Sequence, residues 1–117
     1  MFMPVCDSMA EVEAFLQLGD LNLVGVELLA HSPEDELFQD DAIQYIHSKG
    51  LFCWVNALTL TDVKPTSVLY GGLDDDTSIR LGPDAGWGKL FDKGVDVIQT
   101  DWIDLLRELR AEKLGIR

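Results

Sequence analysis

The chain has 117 residues, of which 47% are hydrophobic and 26% charged, the composition of an ordinary globular domain rather than a disordered or membrane-spanning chain. Asp and Glu outnumber Lys and Arg by 21 to 9, for a net charge of −12; nucleic acid and anionic membrane surfaces are poor partners, because both need cationic surface. No apolar run approaches the roughly 20 residues of a membrane helix, and Met1–Cys6 is short and lacks the basic residues of a secretory leader, so a cytoplasmic chain is expected.

Taken in order, the pattern moves four times from a short apolar run to an amphipathic stretch. Phe2 to Cys6 reads as a first strand. Ser8-Met9-Ala10-Glu11 has capping-box spacing, Val12, Phe15 and Leu16 supply one apolar helix face, and Gly19 stops the helix. Leu23 to Leu29 is almost continuously apolar, as a parallel strand covered on both faces would be. Ser32-Pro33 is suited to open a helix. A longer helix is predicted from Asp40 or Asp41, with Ile43 and Ile46 inward and Lys49-Gly50 closing it.

Leu51 to Val55 forms the third strand, ending at Asn56. From Leu58 to Gly82 the pattern is least regular, with at most a short helix around Val63 to Tyr70. A further helix is predicted on Trp87, Leu90 and Phe91, a fourth strand over Val95 to Thr100, and a last helix with Trp102, Leu105, Leu106 and Leu109 at helical spacing, capped by Asp101. No linker divides the chain, so residues 1–117 read as one domain. Repeated β-α units predict an α/β fold with a parallel sheet. Periodicity leaves two architectures open, a doubly wound sheet and part of a barrel. Cys6 and Cys53 lie in separate apolar runs and read as reduced, buried thiols rather than a disulfide or zinc site.

Two motifs favour the barrel. Gly94-Val95-Asp96-Val97-Ile98-Gln99-Thr100-Asp101 resembles the last barrel strand of the glycerophosphodiester phosphodiesterases, and Lys49-Gly50-Leu51-Phe52-Cys53-Trp54-Val55-Asn56 resembles the seventh. The resemblance implies strands five to eight of a (β/α)₈ TIM-type barrel, with Val24–Leu29 as strand six and Phe2–Cys6 as strand five. Cys53, Trp54 and Ile103 depart from the family pattern, and the connection from Gly71 to Gly88 is long, as in a divergent subfamily. The family hydrolyses glycerophosphodiesters to an alcohol and glycerol 3-phosphate, a reaction of lipid metabolism, with a divalent metal (Mg²⁺ or Ca²⁺) held by carboxylates and with histidines moving protons. Its H-R-G and E-x-D motifs belong to the first half of the barrel and have no counterpart here. The isolated chain is therefore expected to carry no catalytic or metal-ligating residues and no cofactor of its own.

Active sites of such barrels lie at the C-terminal ends of the strands. Glu27, Trp54, Asn56, Thr100 and Asp101 fall there and are the candidate contacts for a small phosphodiester substrate. Glu27 interrupts an apolar strand, and a buried carboxylate needs a partner, a metal or a proton. Each has a plainer role: Trp54 in the core, Asn56 ending its strand, Asp101 capping a helix. Asp74-Asp75-Asp76 lacks the alternation and later Glu of a calcium loop and reads as a solvated acidic loop. His31 follows a strand at the mouth, and His47 reads as a surface residue. Four strands of a closed barrel leave two open edges, so a homodimer or a separate N-terminal half is expected to complete it. The competing function is a non-catalytic binding or scaffold module built from such a dimer. A receiver-like domain fits less well, because Asp7 stands alone after the first strand and Asn56 ends the third.

Overall fold

The computed structural model describes residues 1–19, 21–58 and 72–116. The first β-α unit pairs β1 (Val5–Cys6) with α1 (Met9–Gln17), and Ser8 caps the helix by accepting the Glu11 N–H at 3.2 Å. Glu11 returns the contact one residue further back, accepting the Asp7 N–H at 3.1 Å, so the capping box forms in shifted register. The second unit is β2 (Gly25–Leu28) followed by α2 (Asp40–Ser48), with Ile43 and Ile46 buried and Gly50 in the left-handed region at φ 75°. Ser32-Pro33 opens no α-helix. The Asp35 carboxylate takes the N–H groups of His31 and Leu37, at 2.9 and 3.0 Å, and holds the chain in a tight turn that leads into the 3₁₀ turn Glu36–Phe38.

The third strand, β3 (Phe52–Asn56), is joined to β4 (Val97–Gln99) by the longest connection, which holds α3 (Asp75–Leu81), the 3₁₀ turn Pro83–Ala85 and α4 (Trp87–Asp92). The helix expected around Val63 to Tyr70 lies outside the described residues. The chain then enters α5 (Ile103–Leu114), which Asp101 does not cap. The Trp102 N–H donates instead to the Thr100 hydroxyl, at 2.9 Å.

Among the described residues the four strands form one all-parallel sheet in the order β1-β2-β3-β4. A doubly wound sheet would reverse direction partway; this one does not, and the order is consistent with half a barrel. Right-handed crossovers, the rule for parallel strands laid down in sequence, would place the connecting helices on the same side. The core reflects this. Cys6, Val26, Leu28, Cys53 and Val55 join Val12, Ile43, Ile46, Leu90 and Leu109 in a single buried cluster. Both thiols are completely buried, and burial is the main force pushing them up, to about 11 for Cys6 and about 12 for Cys53.

Alternation along the strands sends the intervening residues to the other side, which among the described residues is met by a helix only at the β4 edge, where α5 lines a groove with Trp54. Val5 is 49% exposed there, and Glu27, Phe52, Trp54 and Asn56 are half-buried. The Phe52 ring occupies the space above Gly25, where a Cβ would collide with it.

Gly86 permits the closest approach on the helical side, since a Cβ there would collide with the Ser78 hydroxyl and the Asp74 carbonyl. Gly86→Ala is therefore expected to cost about 1–3 kcal/mol, measured by urea unfolding. An unchanged midpoint would mean that the two helices part without penalty.

Candidate functional site

Strand register places the candidate residues in rows across the open side of the sheet. Val5 pairs with Glu27, Glu27 with Trp54, and Trp54 with Val97. One step toward the C-terminal ends, Asn56 pairs with Gln99. The structure thus brings Glu27, Trp54 and Asn56 onto one surface, with Glu27 set between an aliphatic and an aromatic neighbour.

No hydrogen-bond or ion-pair partner reaches the Glu27 carboxylate among the described residues. Loss of hydration beside Val5 and Trp54 raises its pKa above the ordinary 4.5. Asn56 uses its side-chain oxygen to accept the Leu58 N–H at 3.1 Å, which ends the strand. Trp54 also forms one wall of an apolar groove of about 400 Å³ between the free edge of β4 and α5, shared with Val97, Ile103, Leu106, Arg107 and Arg110. A larger cleft, of about 500 Å³, opens between α1 and α2 with no strand residue in its lining.

Thr100 lines the same groove as Trp54, but its hydroxyl and the Asp101 N–H are commanded by a different residue. Asp75 is 2% exposed, and its carboxylate accepts three hydrogen bonds: Trp87 Nε1 at 2.9 Å, the Thr100 hydroxyl at 2.6 Å and the Asp101 N–H at 3.0 Å. The reading of Asp74-Asp75-Asp76 as a solvated loop is thereby overturned. Asp74 is 7% exposed and caps α3 through the Thr77 N–H, and Asp75 ties α3 to the turn after β4. The Thr100 hydroxyl is spent on Asp75 and Trp102, which makes it a positioning group. The Asp101 side chain is exposed at the same turn. Sequence reasoning missed Asp75 because its three donors lie 12, 25 and 26 residues away.

A second polar knot sits where α2 ends and β3 and β4 begin. Asp96 Oδ2 accepts from the Cys53 N–H and pairs with His47 Nε2, both at 2.8 Å. The ligand atoms of His47, Cys53 and Asp96 all lie within 4.8 Å of one another, close enough to suggest a metal. The chemistry suits a fastening better. Asp96 is already engaged twice, and burial, with the Asp96 charge beside it, keeps the Cys53 thiol protonated. His47 lies at the surface, as expected, and is tethered there by Asp96.

The fold and the open row define a parallel α/β chain with a largely apolar groove beside β4 and α5. A family described as a domain of unknown function, DUF4996, matches residues 2–109, and the chain belongs to it. No curated protein matches the chain. No helix among the described residues is long and apolar enough to cross a membrane.

Two expectations test these placements. Asp75→Ala leaves three donors without an acceptor, and a loss of about 2–4 kcal/mol is expected, together with a shift of the Trp87 indole N–H resonance; a stability change near zero would contradict the keystone role. For Glu27, the folded chain retains a proton that the unfolded chain has released between pH 4.5 and its raised value, so stability falls as pH rises through that window. Glu27→Gln is expected to raise Tm at pH 7 and to flatten that decline. Parallel Tm-against-pH curves for the two proteins would refute it.

Proposed function

We propose that this chain is the C-terminal half of a glycerophosphodiester phosphodiesterase-like (β/α)₈ barrel, supplying strands five to eight and part of the substrate-binding mouth. The observation that supports this best is the sequential parallel sheet with an uncovered side, on which Glu27, Trp54 and Asn56 stand in register. An uncovered inner side is what a barrel interior becomes when half the strands are removed.

In this reading Trp54 packs against the alcohol or glycerol portion of a phosphodiester, and Asn56 offers its amide N–H₂ to a substrate oxygen. Glu27 accepts from a glycerol hydroxyl, and Asp75 fixes the Thr100–Asp101 turn at the rim. The residues present do not fit the divalent metal of the complete barrel. Among the described residues Glu27 is the one carboxylate in the strands on the open side, Asp75 is filled by protein donors, and Mg²⁺ and Ca²⁺ need several free oxygens at once. No hydrolytic step is therefore assigned to this chain's own residues.

A second reading, a binding or scaffold module without turnover, draws support from the apolar character of the row and of the groove beside it. The two separate in one experiment. Titration with glycerophosphodiesters, followed by amide shifts, is expected to perturb Trp54, Asn56 and Gln99, with no release of glycerol 3-phosphate in Mg²⁺ or Ca²⁺. Shifts confined to other surfaces would sink the phosphodiesterase reading and leave the scaffold; hydrolysis by the chain alone would overturn both.

A further inference from the structure

The open side and the two sheet edges pose one physical problem: what covers them. The edges are β1 and β4, and an edge strand carries backbone groups ready to pair with another strand. Each edge is flanked by a helix that carries exposed and half-buried apolar residues on its outer flank, and the two flanks carry opposite charge.

At the β4 edge the groove is walled by Ile103 and Leu106 and rimmed by Arg107 and Arg110. Ile103 is 68% exposed. Lys and Arg number only 9 in this chain against 21 acids, so two arginines in one groove stand out from an otherwise anionic surface. Arg107 is braced by Asp104 at 3.1 Å, and Arg110 has no partner among the described residues.

At the β1 edge, Phe2 packs on Phe15 of α1 with ring centroids 5.7 Å apart, which identifies the outer flank of that helix. Glu11, Phe15 and Leu18 follow one another at four and three residues, so they share that flank. Glu11 is exposed and Leu18 is 58% exposed, while Glu13, on the opposite flank, turns inward to Tyr45 of α2. One edge thus offers apolar residues with an acid, and the other an apolar groove with two arginines.

We propose that a second copy of this chain is the missing half. The β1–α1 edge of each copy docks on the β4–α5 edge of the other, closing eight parallel strands about a twofold axis. Glu11 meets Arg107 and Arg110 at both junctions. The proposal rests on the half-barrel reading and names its partner. Twofold symmetry satisfies both edges at once, because each copy contributes one of each kind. It also completes the site: Glu27, Trp54 and Asn56 of the two copies face a shared interior.

The test uses the whole chain. Light scattering on a sizing column is expected to give twice the 13.0 kDa of one copy, with the dimer weakening as salt is raised. The double variant Arg107→Glu/Arg110→Glu and the single variant Glu11→Lys each place like charges at both junctions and are expected to run as folded monomers, with far-UV dichroism retained. Mixed, they restore opposite charges at both junctions, and a heterodimer is expected. A wild-type chain of one-copy mass overturns the proposal, as does a dimer indifferent to these substitutions or a mixture of folded monomers that fails to associate. A monomer whose open side still responds to glycerophosphodiesters removes only the second copy. A dimer without that response keeps the second copy and removes the substrate.

Discussion

Handedness governs this molecule. When parallel strands are laid down in chain order and every crossover turns the same way, the helices can cover only one side of the sheet. The buried cluster is accordingly one-sided, built from Cys6, Val26, Leu28, Cys53 and Val55 against the helices. What remains on the other side is a carboxylate with a raised pKa, a tryptophan and a phenylalanine ring lying over a glycine, which the proposed half-barrel takes as part of its interior. The functional reading follows from that asymmetry more than from any single side chain.

Asp75 plays the corresponding part at the ends of the strands. Burial of a carboxylate is tolerated only when its oxygens are filled, and here Trp87, Thr100 and Asp101 fill them. The long connection between β3 and β4 is thereby anchored to the turn that follows β4, so the rim is held by a side chain from the middle of the sequence. Asp96 does similar work where β3 and β4 begin, binding the Cys53 N–H and the end of α2. The sheet is pinned at both ends by single carboxylates.

Much of this architecture is legible in the amino-acid order, and the limits are physical. The units β1–α1 and β2–α2 can be read because their signals are local: the Ser8–Glu11 cap, the Ile43–Ile46 spacing and a glycine with positive φ after α2. The side to which Trp54 points cannot be read, since Phe52 to Val55 is apolar throughout and alternation becomes visible only once helices cover one set. Strand order was open for the same reason. Asp75 was misread because a run of three aspartates looks solvated until Trp87 and Thr100 are folded against it. Thr100 and Asp101 were placed correctly at the strand end, but what they do is dictated by that distant carboxylate. Ser32-Pro33 carries a helix-opening signature that loses to the bonds formed by Asp35.

The order of the strands has a bearing on how the chain is made. Each strand pairs with the one synthesised just before it, so the sheet can grow in the direction of translation without waiting for a distant segment. The ties from Asp75 to the turn after β4, and from Asp96 to Cys53 and His47, must wait for the last quarter of the chain to emerge. Until then β3 is the growing edge, and its apolar run has no neighbour on one flank. The interval between synthesis of Asn56 and of Val97 is therefore when the nascent chain is most exposed to wrong pairing.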